Sequence, residues 1–186
     1  LVLAKDVAGA IYECRFFRNQ GCGVNLRDQA AVRIEKCDCR LNEASGIQCF
    51  GDGKPIVVGN TCIENQSSGI RIGGGSLAQL VGNTCQDNKR SGISCGDAAQ
   101  PAMRGNHCQG NGLNGIQVKN EAKPVIESNR CVGNKASGIA FNDSARGSVA
   151  DNECAENVHC GIMTVDQSRA DADGNRCRAC LPAATG

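Results

Sequence analysis

Apolar positions along this chain come in short bursts that alternate with polar ones. Ile70 and Ile72 are followed by Leu80 and then Cys85, with glycines and asparagines between them. Alternation over three or four residues, bounded by Gly and Asn, predicts short strands that each place one or two side chains inward. No apolar set recurs at the spacing of an amphipathic helix. The bursts themselves recur instead. Stacked at a period of 23 residues, the chain aligns without an insertion.

One column of that stack is Gly23, Gly46, Gly69, Gly92, Gly115, Gly138 and Gly161, and the next is Val24, Ile47, Ile70, Ile93, Ile116, Ile139 and Ile162. Others hold Asn19, Asn42, Asn65, Asn88, Asn111, Asn134 and Asn157; Asn60, Asn83, Asn106, Asn129, Asn152 and Asn175; and Cys39, Cys62, Cys85, Cys108, Cys131, Cys154 and Cys177. Repetition at this period defines a solenoid. Helical repeats need two helices and about 33 residues or more, so a 23-residue unit with three strands is one coil of a parallel β-helix. The chain holds about eight coils of 23 residues, a stack roughly 35 to 40 Å long at strand spacing.

Each column has a physical reason. Equivalent residues lie about 4.8 Å apart, so a buried Asn can donate its amide to the next Asn and be satisfied by repetition. Asn also tolerates the left-handed backbone that a sharp bend demands, which places the ladder asparagines at the bends. The Gly column marks a place with no room for Cβ or with positive φ. Ile11, Ile34, Val57, Leu80, Met103, Ile126 and Val149 are expected to fill the bore.

The pattern N-x-C-x-x-N-x-x-S-G-I followed by P-x-V-x-x-N, seen from Asn111, Gly115 and Ile116 through Pro124, Val125 and Asn129, resembles the repeats of the right-handed parallel β-helix superfamily. Such repeats occur in pectate-lyase-like enzymes, NosD-like proteins and the β-helix regions of F-box proteins. The resemblance implies an all-β, right-handed solenoid over residues 1–180 with a C-terminal tail at 181–186. It implies little about activity, since that fold hosts lyases, hydrolases, epimerases and binding modules alike. In the enzymes of the family the substrate groove lies along the outward face of the first sheet, here the sheet of the "GI" strands, and its flanking loops.

Composition sharpens this. Lys+Arg 20 against Asp+Glu 19 leaves a net charge of +1, no footprint for nucleic acid or an anionic membrane. No apolar run approaches the roughly 18 residues of a membrane span. The chain opens on Leu1 in mid-coil, which reads as part of a longer parent, and the apolar tail Leu181 to Gly186 is expected to cover the far end. Fourteen cysteines could suggest disulfides, but parallel Cβ vectors in a ladder hold the Cβ atoms beyond the preferred disulfide separation. A linear stack of thiols does not converge on a zinc ion either. The ladder cysteines, with Cys49 and Cys95, therefore read as buried packing residues, and Cys22, Cys160, Cys14 and Cys37 replace turn or ladder residues. So many unpaired thiols favour a reducing compartment, the cytoplasm, although burial could protect them elsewhere.

Candidate chemistry must lie in positions the repeat leaves free. The outward column of the first sheet reads Asn25, Gln48, Arg71, Ser94, Gln117, Ala140 and Met163; it holds no carboxylate, so the acid pair of a glycosidase is absent. The following loop column reads Asp28, Gly51, Gly74, Asp97, Asn120, Asp143 and Asp166, with Lys54, Lys123, Arg146 and Arg169 three residues further on. Asp143 and Asp166 could face one another one coil apart and hold Ca²⁺, or could stand in a solvated turn with weak ion pairs. His107, beside Arg130 in its column, and His159 read as surface residues. The sequons at Asn65 and Asn142 are discounted, Asn65 being a ladder residue. Ile56, Val58, Ile63, Val81, Val125 and Val132 fall on outward positions, scattered or as a partner patch.

The unbroken period favours a non-catalytic module that binds a protein segment or a glycan through Arg71, Gln117, Asp97, Asn120, Asp143 and Asp166. The alternative is a carbohydrate-active lyase, epimerase or hydrolase. No cofactor and no metal is expected. Self-association through raw strand edges or the aliphatic patch is possible by the same reading.

Overall fold

The computed structural model describes residues 1–178; the expected tail at 181–186 lies outside the described residues. These residues form strands joined by turns, with no helix among them. Three eight-stranded parallel sheets take every third strand in turn. The first sheet runs from Val2–Leu3 to Ile162–Thr164, the second from Ala8–Tyr12 to Arg169–Asp173 and the third from Arg15–Phe17 to Arg176–Arg178. Pairing is in register at 23 residues throughout, as in Ile70 with Ile93, Leu80 with Met103 and Cys85 with Cys108.

The bore is filled as the alternation predicts. Ile47, Ile70, Ile93, Ile116 and Ile139 are fully buried, as are Val57, Leu80, Met103, Ile126 and Val149 on the second sheet and Cys39 through Cys154 on the third. The packing solution is small aliphatic groups stacked in rows, which is why one Tyr and four Phe suffice for the whole chain.

Both asparagine ladders are continuous hydrogen-bond systems. The Nδ2 of Asn106 donates to Oδ1 of Asn129 at 2.9 Å and to the carbonyl of Leu80 at 3.0 Å. Its Oδ1 accepts from the backbone N and Nδ2 of Asn83. The same pattern recurs at Asn65, Asn88, Asn111 and Asn134. No buried side-chain nitrogen or oxygen among the described residues lacks a partner, so the cost of burying amides is offset at each rung. Cys37, standing where an Asn would, directs its thiol at the carbonyl of Ile11 at 3.6 Å, in the place of the Asn Nδ2 donation.

The bends differ from the expectation in one respect. The left-handed residues are not the ladder asparagines but those immediately before them: Gly59, Gly82, Gly105, Ser128 and Asp151 before one ladder, and Arg18, Leu41, Glu64, Asp87, Gly110 and Gly133 before the other. Turning one residue earlier lets the Asn point its side chain into the corner and donate from its own backbone N–H. The Gly column is a close-approach column: a Cβ at Gly92 would lie 2.8 Å from the carbonyl of Gly115 and from the Cys108 side chain.

Candidate functional site

The outward column of the first sheet is in register from Val2 to Met163, passing through Asn25, Gln48, Arg71, Ser94, Gln117 and Ala140. Although these side chains point away from the bore, Asn25, Ser94 and Ala140 are buried, Ala140 completely. The face is therefore a furrow, with small side chains on its floor and the half-buried Gln48, Arg71, Gln117 and Met163 rising from it. One wall is the turn before the sheet, where Ser91 donates its hydroxyl to Oε1 of Gln117 at 3.3 Å. Along the floor the side-chain amides of Gln48 and Asn25 meet at 3.3 Å.

Arg71 has a specific seat. Its guanidinium lies over the Phe50 ring, 4.9 Å from the centroid. Phe50 ends the strand Ile47–Phe50 and is paired in register with Gly73 of the next coil. A Cβ at Gly73 would lie 2.6 Å from the Phe50 ring and 2.6 Å from Oδ2 of Asp97, so the glycine makes room for the ring. A cation stacked in this way gains about 0.5–1 kcal/mol and holds its planar donors in a fixed orientation. Sequence reasoning singled out Arg71 but missed Phe50; the "GGG" at 73–75, one coil on, was the available signal.

The loop column has a structural occupation. Asp28, Asp97, Asn120, Asp143 and Asp166 are all left-handed, with φ between 55° and 59°. Their side-chain oxygens accept the backbone N–H of the equivalent residue one coil earlier: Lys5 on Asp28 at 2.9 Å, Gly74 on Asp97 at 2.9 Å, Asp97 on Asn120 at 3.2 Å, Asn120 on Asp143 at 2.8 Å and Asp143 on Asp166 at 3.2 Å. This is a third, exposed ladder of Asp and Asn. Each carboxylate has one oxygen engaged in it, and the side chains remain open to solvent. Lys123 and Arg146 beside it line, with Glu121 and Ser144, a shallow hollow of about 220 Å³. No ion pair among the described residues joins Lys54, Lys123, Arg146 or Arg169 to the acidic column.

The remaining chemistry is dispersed. His107 lies half-buried on the third sheet, its Nε2 3.3 Å from Nη1 of Arg130. Burial, then the Arg130 charge, lowers its pKa. Arg130 in turn pairs with Glu153 at 3.2 Å, and His159 is exposed in a turn. Among the described residues no three His, Cys, Asp or Glu side chains converge as metal ligands would. Asn65 is fully buried in its ladder. Of the outward aliphatics, Val58 and Val81 are paired neighbours, while Val132 is buried at 8% exposure.

A three-sided parallel solenoid with polar ladders at its corners and one furrowed sheet is a β-helix. The chain belongs to the right-handed β-helix family: the profile described as right handed beta helix region matches residues 2–122. The profile of NosD, described as a periplasmic copper-binding protein, matches residues 78–186. Among solved structures, the periplasmic alginate epimerase AlgG is similar with a TM-score of 0.74 at 17% identity, covering 90% of this chain and 46% of that one. A double mutant of the epimerase gives a TM-score of 0.76 at 16% identity with the same coverage, 90% and 46%. The chain thus spans under half the length of the epimerase chains, and the likeness is one of fold. A search of curated proteins gives no match.

These findings correct the expectation of a reducing, cytoplasmic compartment. The NosD model, which matches more than half of the chain, is that of a periplasmic protein, which points to a periplasmic or extracellular location. The physical reason is that a thiol count reports on compartment only when the thiols are accessible and can pair. Here Cys39, Cys62, Cys85, Cys108, Cys131 and Cys154 are wholly buried and stacked with parallel Cβ vectors, which oxidation cannot bridge without moving backbone.

Proposed function

We propose that this chain is a non-catalytic β-helix module that binds a polysaccharide along the outward furrow of the first sheet. The observation that carries the reading is the uninterrupted polar line Asn25, Gln48, Arg71, Ser94 and Gln117, one residue per coil, with Arg71 fixed on Phe50. Four coil rises give it a length of about 19 Å. Evenly spaced amides suit an extended polymer that offers hydroxyl groups at regular intervals, and the held guanidinium suits a carboxylate or hydroxyl pair on it. That AlgG, a protein of the same fold, is an alginate epimerase supports a glycan over a polypeptide in this furrow. A non-catalytic role is supported by the furrow's side chains, which include neither carboxylate nor imidazole. Carboxylates of the adjoining loop column, among them Asp97, Asp143 and Asp166, each engage a backbone N–H; with Asn120 they would form the rim that the polymer touches.

Calorimetric titration with a panel of polyuronates and neutral polysaccharides tests this, using the wild type, Arg71→Ala and Gln117→Ala. One polymer class should bind, and Arg71→Ala should weaken it about tenfold, equivalent to about 1.4 kcal/mol. No binding across the panel would sink the proposal. So would an epimerised or unsaturated product, seen by NMR of the polymer, that disappears with Asp143→Ala and Asp166→Ala.

A further inference from the structure

The chain has one Tyr, four Phe and no Trp, so an aromatic ring left in water is conspicuous. Phe16 packs against the core cluster and Phe141 is fully buried, while Phe50 seats Arg71. Phe17 does none of these. At 63% exposure it is more open than any other large apolar side chain among the described residues. It ends the strand Arg15–Phe17 on the outward face of the third sheet, paired in register with Arg40.

The residue after Arg40 is equally out of place. Leu41 occupies the corner column whose other members are Arg18, Glu64, Asp87, Gly110, Gly133 and Glu156, all left-handed. Leu41 is left-handed too, with φ 55°, and remains 40% exposed. A bulky aliphatic is disfavoured in that conformation, and burial does not compensate it here. Phe17 and Leu41 form the apolar walls of a hollow of about 370 Å³ completed by Arg15, Arg18, Asp38 and Arg40.

The charge around the hollow is one-sided. Three guanidiniums face one carboxylate, and Arg40 already bonds Asp38. Arg15 and Arg18 form no ion pair among the described residues. On a chain whose net charge is only +1, this is a local concentration of cation about an apolar centre. We propose that the hollow between Phe17 and Leu41 is a docking site for an acidic polypeptide segment that inserts one large apolar side chain between them and places its flanking carboxylates on Arg15 and Arg18. Two hydrocarbon walls clasp a side chain, whereas a sugar ring needs one open aromatic face. The arginine fork pairs with Asp and Glu carboxylates in two-point fashion. The site lies on the third sheet and its corner, a different face from the first-sheet furrow, and does not depend on polysaccharide binding.

The test uses the whole chain and a fluorescein-labelled peptide with a central Phe flanked on each side by two Glu, read by fluorescence anisotropy. Saturable binding is expected. It should fall about tenfold or more, the worth of burying one such side chain, on Phe17→Ser or when the peptide Phe is replaced by Ala. Arg15→Gln with Arg18→Gln should weaken it and flatten its salt dependence, and a Lys-flanked peptide should not bind. Leu41→Gly separates docking from folding: it should lose peptide while leaving the melting temperature unchanged or raised by about 2 °C, as expected for relief of a small strain in a chain of this size. Absence of saturable binding, or binding indifferent to both Phe17→Ser and Leu41→Gly, would overturn the proposal. A polyuronate that binds at these residues where the peptide does not would also overturn it, as would a concentration-dependent dimer abolished by Phe17→Ser with no peptide binding.

Discussion

Replacing Asn106 with Ala removes one rung from the middle of a ladder. Four hydrogen bonds go with the side chain: two accepted from Asn83, one given to Asn129 and one given to the Leu80 carbonyl. At about 1 kcal/mol net each they amount to about 4 kcal/mol. The backbone N–H of Asn83, whose acceptor is Oδ1 of Asn106, is then buried without a partner, which adds about 1–2 kcal/mol. The sum, about 5–6 kcal/mol, is a large share of the stability of a typical domain. Asn106→Asp should be worse near neutral pH, because it aims a buried carboxylate at the Leu80 carbonyl and at Oδ1 of Asn129. Its folded pKa must then lie above the unfolded value, so the deficit should shrink as the pH falls toward about 4. Urea unfolding followed by far-UV circular dichroism measures both, with exposed Gln109→Ala as the control. A cost for Asn106→Ala below about 1 kcal/mol, or one equal to the control, would refute the ladder energetics.

Three further outcomes follow from the geometry. Gly92→Ala, which forces a Cβ to within 2.8 Å of the Gly115 carbonyl, should cost about 3 kcal/mol, whereas Gly82→Ala, open but at φ 60°, should cost about 1 kcal/mol; the reverse order in urea unfolding would contradict the close-approach reading. Asp143→Asn keeps the acceptor for the Asn120 N–H and should change stability by less than about 0.5 kcal/mol, while Asp143→Ala should cost about 1–2 kcal/mol; equal effects would mean that the exposed ladder contributes nothing. In thiol titration of the folded chain, exposed Cys14, Cys160 and Cys177 should react. Cys49 and Cys95, whose pKa burial raises to about 12, should stay silent. A denatured, unreduced sample should show close to fourteen thiols, and a much lower count would contradict the reduced ladder.

The fold was legible because a solenoid writes its contacts as columns. Gly92, Asn106 and Cys108 each stack on a copy of themselves, so one period revealed sheets, register and core together. The bends were legible only to within one residue. Asn60 and Asn83 looked like the turning points, yet Gly59 and Gly82 turn, because the ladder needs the amide while the bend needs the backbone. The site was legible in part. Alternation placed Arg71 and Gln117 outward, but it could not show that Ala140 and Ser94 sink into a furrow or that Phe50 turns back over Gly73. The acidic column read as either a solvated turn or a cation or sugar site at Asp143 and Asp166, and their backbone bonds stayed hidden because they depend on a left-handed φ that no letter states. The thiol count misjudged compartment because the burial that the ladder pattern already implied, complete from Cys39 through Cys154, shields those thiols from oxidation.

The measurement that bears most directly on the account is an NMR titration of the isotope-labelled chain with the polysaccharide that binds it. The predicted result is a contiguous set of shifts at Asn25, Gln48, Arg71, Ser94 and Gln117, with the side-chain amides of Gln48 and Gln117 among the largest, and a polymer spectrum that does not change with time. Shifts confined to the second or third sheet, or polymer resonances that convert to product, would contradict it.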